Sequence, residues 1–558
     1  MTTNKTPAHT RTRAHARAHI RATLPLLAGF AACATAATAA SAPSAAPAAP
    51  AKPNILYILC DDLGIGDVSA FNPKAIWKTP SFDRLAREGM MFTNAHSGSA
   101  VCTPSRYSIL TGRYCWRTTL KHGTTAGYSA ALVEPDRLTL PLFLREQGYA
   151  TAMFGKWHLG LDFAKSAQTQ KGAKGKGSRG ADIDYSKPFG GGPLAHGFDR
   201  FYGIDASLDM PPYMWLENDR VTQAPTGKIG DSAAPKLWRA GPIAPNFKMQ
   251  DVQPTLIEKT IAYLGERAAA AKANDTRPFF VYLALASPHT PTLPSKEFEG
   301  KTPSLYGDFV LNIDHDVGRI LDELDRLGLT ENTIVVFTSD NGYAPAGNIP
   351  RLQDFGHDSS AGYRGTKSDA FEGGHREPCI VRWPGVTPAG ARCDATVGLF
   401  DFFATCAEYF GVKLPDDAAE DSVSMLALLK GQPPVPGKNA RETIVNHSGE
   451  GEFVIREGKW KLILWAGSGG WSHPTKAPSP WTYSKPDDFT GLPPYQLYDM
   501  DADSAETTNL ADKHPDIVQH LGSLMKRYIE TGRSTPGAPQ PVKGADKWPQ
   551  LRWMKDFQ

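Results

Sequence analysis

Three uninterrupted apolar runs, each followed at once by polar residues, constrain the fold of this chain more than any other feature. The runs are Asn54–Cys60, Phe279–Ala286 and Thr333–Thr338. Apolar runs without polar alternation are typical of strands buried on both faces of a parallel sheet. Amphipathic stretches at 81–89 and 309–328 predict helices between these strands. The sequence therefore predicts an α/β fold with a large, mostly parallel but mixed sheet flanked by helices.

Each predicted strand ends in residues that can carry chemistry. Asp61 and Asp62 follow the first run, His289 follows the second, and Asp340 and Asn341 follow the third. In open α/β sheets ligands bind beyond the carboxyl ends of the strands, so we expect these side chains to converge. Carboxylate and amide oxygens are the ligands that Ca²⁺ or Mg²⁺ prefers, although Asp and Asn are also ordinary turn residues. Jointly, they predict a divalent cation site.

The first fifty-two residues have the composition of a targeting segment. Four arginines and no acidic residue precede a short apolar run at 24–32, and small residues near Ala40 offer a cleavage site. This pattern predicts a signal peptide over 1–40 and an Ala/Pro-rich tether over 41–52. Cys33 offers a lipid anchor as an alternative, although Phe30 stands where a lipobox normally has Leu. We therefore expect an exported protein, periplasmic or secreted, without a transmembrane segment.

The charge balance depends on that leader. The full chain carries a formal charge of +2, and because residues 1–40 contain five Lys and Arg and no acid, the remainder carries −3. Nothing in it indicates a nucleic-acid surface. We interpret residues 165–192, rich in Lys, Gly and Ser, as a long solvated loop. We interpret Asp314, His315 and Asp316 as cap and solvent-face residues of a helix.

A Pro-rich stretch at 433–437 predicts a linker. Beyond it, the alternating residues 452–465 predict a hairpin, and residues 515–531 predict a closing helix. We therefore predict a catalytic domain over 53–432. A smaller C-terminal α+β subdomain, with a short antiparallel sheet, is predicted over 441–558.

Three further segments add a thiol and several cations. Cys102-Thr103-Pro104-Ser105-Arg106 predicts the start of a helix on local grounds, with Pro in its first turn. Lys156 and His158 stand two residues apart after a short predicted strand, so an extended segment would point both to the same side. Lys367 lies on a Gly-containing loop. These groups suit the binding of an anion and the movement of a proton.

Together these blocks resemble the type I sulfatases of the alkaline phosphatase-like superfamily, from about Pro53 to the C terminus. The matching blocks, in the family's order, are Asp61–Gly64, Cys102–Arg106 with Thr111–Arg113, Gly155–Gly160, Ser287–Pro291, Ser339–Gly342, Glu372–Pro378, and Leu497–Asp499 with Asn509–Leu510. Residues 501–506 depart from the family pattern, because they lack its usual Asp-Pro turn. The resemblance implies an alkaline phosphatase-like fold and the hydrolysis of sulfate esters.

The resemblance also implies how the reaction is carried out. A formylglycine-generating enzyme would oxidise Cys102 to formylglycine, whose hydrate supplies the nucleophile. The implied ligands of the cation, Ca²⁺ or alternatively Mg²⁺, are Asp61, Asp62, Asp340, Asn341 and the modified residue 102. Among the implied catalytic residues, Arg106 orients residue 102, and Lys156 and Lys367 neutralise the sulfate. His289 would protonate the leaving alcohol, and His158 would accept a proton.

Substrate contacts are predicted at Ser207, which aligns with a sulfate-binding serine, and at the loop residues Asp205, Asp209, His357 and His375. The expected substrate is a sulfated small molecule or saccharide, with a 6-sulfated sugar as the hypothesis. A phosphonate- or phosphoester hydrolase of the same superfamily and an inactive carbohydrate-binding relative stay open as alternatives. Without Cys33 and a modified Cys102, five cysteines remain, so at least one is unpaired, and Cys60 is predicted to be it.

Overall fold

Eleven strands pair into one mixed sheet, four more form an antiparallel sheet near the C terminus, and two form a small ribbon. The computed structural model describes residues 52–166, 182–345, 349–438, 440–472, 489, 491–544 and 548–558. The strands in chain order are β1 (Asn54–Asp61), β2 (Met90–His96), β3 (Ala150–Lys156), β4 (Arg200–Ile204), β5 (Leu216–Glu217), β6 (Arg220–Val221), β7 (Gly227–Ile229), β8 (Gly241–Ile243), β9 (Phe279–Pro288), β10 (Thr333–Ser339), β11 (Arg376–Arg382), β12 (Ala391–Cys393), β13 (Val397–Gly398), β14 (Thr443–His447), β15 (Phe453–Glu457), β16 (Trp460–Ile463) and β17 (Gln496–Asp499).

The three predicted strands lie side by side in the centre of the large sheet. Strand β1 lies between β10 and β9, and β3 follows β9. These pairings are all parallel, whereas β11 runs antiparallel to β10 and makes the sheet mixed. Every residue of β1, β9 and β10 is buried, which confirms the prediction of strands covered on both faces. The carboxyl ends of β1, β3, β9 and β10 therefore lie at the same edge.

Helices cover this sheet. They are α1 (Pro80–Glu88), α2 (Cys102–Thr111), α3 (Leu140–Glu146), α4 (Val252–Lys272), α5 (Leu305–Arg326), α6 (Ile349–Asp354), α7 (Glu372–His375), α8 (Asp401–Tyr409), α9 (Leu426–Leu429) and α10 (Pro515–Thr531). Helices α4 and α5 pack on β9 and on each other, and α1 packs on α5. No helix among the described residues is long and apolar enough to cross a membrane.

The solvent-face interpretation of Asp314 and Asp316 is wrong. The Asp314 carboxylate accepts hydrogen bonds from the backbone N–H groups of Ser81 and Phe82, 3.0 and 2.9 Å away, so it caps α1. Asp316 is buried where α5 meets α4 and accepts a hydrogen bond from Gln253. Neighbouring helices cover these two carboxylates, and of the three residues only His315 is exposed.

The C-terminal strands form the predicted short antiparallel sheet in the order β14-β15-β16-β17, and α10 packs on it. Ile444, Phe453 and Leu462 of this sheet meet Leu521 and Met525 in an apolar cluster, which also takes in Tyr114, Trp116 and Phe400 of the preceding chain. Residues 51–558 nevertheless form one compact unit, and the division at 432–441 stays a prediction. The predicted signal peptide (1–40) and the centre of the lysine-rich loop, 167–181, lie outside the described residues.

All six cysteines among the described residues are unpaired, and all but the half-buried Cys393 are buried. Cys60 is therefore unpaired, as predicted from its place in an apolar strand. The same holds for Cys102, whose thiol lies in the site described below.

Candidate active site

The carboxyl ends of four parallel strands bring the predicted acids and cations together. Asp61 is the last residue of β1, Lys156 is the last of β3, and Asp340 and Asn341 follow β10. Gly155 allows β3 to approach β9 closely, because a Cβ at this position would lie 1.8 Å from the Ala284 carbonyl oxygen. The parallel sheet therefore positions these groups directly.

Two lysines pair with two of the acids. Lys156 Nζ lies 2.5 Å from Asp61 Oδ2, and Lys367 Nζ lies 2.6 Å from Asp62 Oδ1. Lys156 Nζ also donates to Ser207 Oγ, 3.2 Å away. All four charged side chains are nearly or completely buried. Each charge therefore depends on its partner, because an unpaired buried charge is costly.

Arg106 joins the acids to the backbone. Its Nε donates to Asp340 Oδ2 at 2.8 Å, and its Nη1 and Nη2 donate to the carbonyls of Lys156 and Leu285 at 3.0 and 3.3 Å. Nη2 also lies 3.7 Å from Asp61 Oδ2. The planar guanidinium thus fixes the relative positions of β3, β9 and the two acids.

Three oxygens in this cluster are buried and have no hydrogen-bond partner among the described residues: Asp61 Oδ1, Asp62 Oδ2 and Asn341 Oδ1. Ligand atoms of Asp61, Asp340 and Cys102 also lie within 4.8 Å of one another. Unsatisfied buried oxygens are costly unless something fills the space between them. Hard oxygen donors suit Ca²⁺ or Mg²⁺, so the residues present fit a divalent cation.

The charges act on one another. Burial alone would raise the pKa of Asp61, but Lys156, His289 and Arg106 lower it well below its usual range. Burial and the neighbouring Asp61 charge raise the pKa of Asp340. Burial also raises the pKa of the Cys102 thiol, so an unmodified Cys102 is a neutral thiol rather than a thiolate.

Cys102 is the first residue of α2 and is 2% exposed. The extended Val101 precedes it, Pro104 stands in the first turn, and Gly112 ends the helix at φ 65°. The predicted helix start is therefore confirmed, with Val101 rather than a hydroxyl residue at the N-cap position. At a helix N terminus, residue 102 lies where backbone N–H groups favour negative charge.

The two candidate histidines differ in their surroundings. Nδ1 of His289 donates to the Thr290 carbonyl at 2.6 Å, and Nε2 lies 3.6 Å from Asp62 Oδ2. Nε2 of His158 donates to the Thr125 carbonyl at 2.9 Å, while its buried Nδ1 has no partner. Burial and then Lys156 lower the pKa of His158 well below its usual value. His158 is therefore neutral near neutral pH, with a bare Nδ1.

The expectation that Lys156 and His158 extend along one strand is wrong. Strand β3 ends at Lys156, and His158 has a φ of 57°, so the chain turns between them. The turn is held by the threonine hydroxyls of Thr103 and Thr125, which both donate to the His158 carbonyl at 2.9 Å.

The predicted substrate contacts divide into two groups. Ser207 Oγ lies 3.3 Å from the ring nitrogens of His289 and so belongs to the cluster. Asp205 has two buried unpartnered oxygens, and Asp209 has one beside its ion pair with Arg239. Both aspartates stay candidates.

His357 and His375 are engaged elsewhere. His357 Nε2 pairs with Asp67 at 2.8 Å, and its ring contacts the Trp77 ring at a centroid distance of 3.9 Å. His375 contacts His96 through Nδ1 and Lys461 through Nε2. Both ring nitrogens of each histidine are occupied by the protein, so we do not carry these two residues into the proposed site.

Sequence reasoning did not assign a role to Thr103 or Glu377. Thr103 lies inside the cysteine motif, and its hydroxyl links that motif to the His158 backbone. Glu377 is fully buried, and burial together with the charges of Asp340 and Asp62 raises its pKa well above the usual value. Both residues lie within segments that match the family, and that position was the sequence signal that could have indicated a role for them.

A parallel sheet with acids, buried cations and a helix-terminal cysteine at its carboxyl edge defines a hydrolase of the alkaline phosphatase-like superfamily. Within it, the chain belongs to the sulfatase family: the model described as Sulfatase matches residues 53–412. It is accordingly a sulfuric ester hydrolase, and the resemblance seen in the sequence is confirmed. The family generally uses a formylglycine and a divalent metal.

Individual relatives agree with this assignment. The N-acetylgalactosamine-6-O-sulfatase of Bacteroides thetaiotaomicron is 33% identical over 515 residues, which are 85% of this chain and 92% of that protein. A solved structure labelled 6S-sulf, which concerns the metabolism of multiple glycosaminoglycans by the same organism, is also similar. It superimposes with a TM-score of 0.70 at 31% identity, and the match covers 85% of this chain and 99% of that one. The phosphonate monoester hydrolase of Agrobacterium radiobacter shares the fold. Its sequence identity is 19% and its TM-score is 0.51, over 85% of this chain and 95% of that one.

Proposed function

We propose that this sulfatase removes sulfate esters from carbohydrates, using a formylglycine derived from Cys102 and a divalent cation, Ca²⁺ in the first place and Mg²⁺ as the alternative. The observation that carries the proposal is the group of unpartnered oxygens of Asp61, Asp62 and Asn341, together with Cys102 and Asp340 close by. When present, the cation neutralises sulfate oxygens and the formylglycine hydrate supplies the attacking hydroxyl.

The lysines and Arg106 prepare the site for an anion. Lys156 and Lys367 hold two positive charges in a buried environment, where charge stabilisation is far stronger than in water. Ser207, next to both Lys156 and His289, accepts a hydrogen bond from the Lys156 ammonium and orients it. Arg106 keeps Asp61 and Asp340 at fixed positions beside residue 102.

The histidines divide the proton transfers. Since Nδ1 of His289 is occupied by the Thr290 carbonyl, Nε2 is the nitrogen that delivers a proton to the leaving alcohol. Since Nε2 of His158 is occupied by the Thr125 carbonyl, its unpartnered Nδ1 is the nitrogen that accepts a proton near residue 102. The two carbonyls therefore fix which ring nitrogen of each histidine is available for proton transfer.

Similarity to a known sulfatase and two aspartates in loops support a sulfated sugar as the substrate. The 33% identity to an N-acetylgalactosamine-6-O-sulfatase over 85% of the chain favours a sugar sulfated on its primary 6-position. Asp205 and Asp209 retain buried unpartnered oxygens, which would accept hydrogen bonds from sugar hydroxyls. We take these two aspartates and Ser207 as the substrate-binding residues.

A defined substrate panel tests the proposal. The protein is coexpressed with a formylglycine-generating enzyme. Sulfate release is measured from 6-sulfated and 4-sulfated N-acetylgalactosamine and from a simple aryl sulfate, and release of the phenol is measured from an aryl phosphonate monoester. We expect the highest kcat/KM on the 6-sulfated sugar and none with Cys102→Ala. Turnover of the aryl sulfate alone would contradict the carbohydrate assignment. Preference for the phosphonate, or no turnover at all, would favour one of the two alternatives.

Export and the domain division belong to the same proposal. We propose that residues 1–40 are removed on export to the periplasm or medium, that 41–52 form a tether, and that 53–432 and 441–558 are the catalytic domain and the C-terminal subdomain. The basic, acid-free leader supports this reading. Sequencing the N terminus of the mature protein should place cleavage near Ala40, whereas a lipid-modified Cys33 at the N terminus would contradict the tether.

A further inference from the structure

Ser368, the neighbour of Lys367, has a backbone conformation that is unfavourable for a residue with a side chain. Its φ is 79° and the residue is buried. The Ser368 N–H donates to the Ala100 carbonyl at 2.7 Å, and the Ser368 carbonyl accepts from the Gly449 N–H at 2.7 Å. Ser368 thus connects the loop before Cys102 to the end of the first C-terminal strand.

The same C-terminal segment also holds the loop before Cys102. The Ala100 N–H donates to the His447 carbonyl at 3.0 Å, and Ser99 Oγ donates to that carbonyl at 3.0 Å. Asn446 Nδ2 donates to the Ser97 carbonyl. Residues 97–100, Ser368 and residues 446–449 therefore form a closed ring of hydrogen bonds beside the site.

Two glycines make this ring possible. A Cβ at Gly449 would lie 2.0 Å from Ser368 Oγ, and a Cβ at Gly470 would lie 2.2 Å from the Ser368 carbonyl oxygen. The segment around Gly470 is tied to the same loop, since the Ala370 N–H donates to the Ser468 carbonyl at 2.8 Å. A side chain at Gly470 must displace the Ser368 backbone, whereas one at Gly449 must displace the Ser368 hydroxyl and would crowd the Ser368 Cβ, 3.1 Å away.

Displacement of Ser368 would reach the site through one residue. The Lys367 N–H donates to the Tyr343 carbonyl at 2.9 Å, and its Nζ lies 2.6 Å from Asp62 Oδ1. A misplacement of about 1 Å at a catalytic group costs about 100-fold in rate. The position of the Lys367 ammonium therefore depends on how tightly Ser368 is held.

We propose that Gly449 and Gly470 are positioning residues of this sulfatase, through which the C-terminal subdomain holds Ser368 and sets Lys367 against Asp62. This inference rests on the role of Lys367 in the proposed function. It assigns the C-terminal sheet a part in catalysis, beyond covering the large sheet.

The test compares Gly449→Ala with Gly458→Ala. Gly458 lies in the same subdomain at φ 55°, and a Cβ there meets nothing within 4 Å, so its replacement strains the subdomain without touching Ser368. With a simple aryl sulfate as substrate, we expect Gly449→Ala to lower kcat by about 10- to 100-fold, with a smaller change in KM. Gly458→Ala should keep kcat and lower only the melting temperature.

A rescue variant and a second readout separate positioning from folding. Gly449→Ala combined with Ser368→Gly removes the hydroxyl that the new methyl would meet and should recover most of kcat. Relative to its intrinsic rate, hydrogen exchange of the residue 368 amide should accelerate in Gly449→Ala and slow again in the double variant. The exchange measurement does not depend on what Lys367 does, so it remains valid if the proposed function fails.

The outcomes are distinct. Unchanged kcat in Gly449→Ala, or faster exchange without loss of kcat, would overturn the proposal. A loss of kcat that the double variant does not recover would also overturn it, because the damage would then not pass through Ser368.

Discussion

Lys461 is the centre of a buried ion cluster between the large sheet and the C-terminal sheet, and its replacement by Met should destabilise the protein strongly. Its Nζ lies 3.1 Å from Glu372 Oε1 and 2.7 Å from Glu506 Oε1, and all three side chains are at most 1% exposed. Glu372 keeps Arg376 at 2.9 Å after the change. Among the described residues the Glu506 carboxylate keeps the Glu372 backbone N–H but no cation, so one buried carboxylate loses its counter-charge.

Removing one partner of a buried ion pair costs about 3–5 kcal/mol in the free energy of unfolding. Glu506 can lower that cost by taking up a proton, because burial already raises its pKa above the usual value. A carboxyl whose folded-state pKa is raised destabilises the fold increasingly as the pH rises above its unfolded pKa. The loss in Lys461→Met should therefore be larger at about pH 8 than at about pH 6.

Urea unfolding followed by tryptophan fluorescence measures this loss. Lys459→Met is the matched control, because Lys459 pairs with Asp499 at 2.6 Å but is 45% exposed, and exposed pairs contribute about 1 kcal/mol or less. Lys461→Met combined with Glu506→Gln should recover most of the loss, since the amide still accepts from the Glu372 N–H. Equal losses in the two lysine variants, or a loss independent of pH, would refute the reasoning.

Three further predictions concern other parts of the molecule. Arg106→Lys keeps the charge but cannot make all three hydrogen bonds to Asp340, Lys156 and Leu285, so kcat should fall about 100-fold in a sulfate-release assay; a loss below about tenfold would count against the role given to the guanidinium. Burial lowers the pKa of His196 from 6.5 to about 4. The neutral ring therefore contributes to the free energy of unfolding above pH 6.5, and this contribution, roughly 3 kcal/mol at most, is lost as the pH falls toward 4. His196→Phe should flatten the fall in melting temperature over that window, and an unchanged acid limb would disprove the assignment. Treatment with EDTA should abolish activity and lower the melting temperature, and added Ca²⁺ should restore both; activity that survives chelation would contradict the cation site formed by the oxygens of Asp61, Asp62 and Asn341.

The strand ends were predictable because apolar runs locate buried parallel strands, and parallel strands carry their carboxyl ends to one edge. Asp61, Asp340 and Lys156 follow from that rule alone. Lys367 does not, because it reaches Asp62 across 305 residues from a loop whose path the sequence pattern does not specify. Only its place in a family block indicated it.

The misplaced residues have physical reasons as well. His158 leaves the strand direction through a positive φ that two threonine hydroxyls stabilise, and no local signal marks it. His375 stood in a motif with chemistry, but its ring belongs to the buried cluster around Lys461. Contacts between β16 and α7 depend on tertiary packing, and the sequence alone does not reveal them.

Residue 102 carries the central claim. The most direct test is the mass of the peptide that contains it, taken from preparations of different specific activity. We predict that part of this peptide has a lower mass than the cysteine peptide, as expected for formylglycine. That fraction should rise in proportion to sulfatase activity. Full activity in a preparation whose residue 102 is entirely unmodified thiol would contradict it.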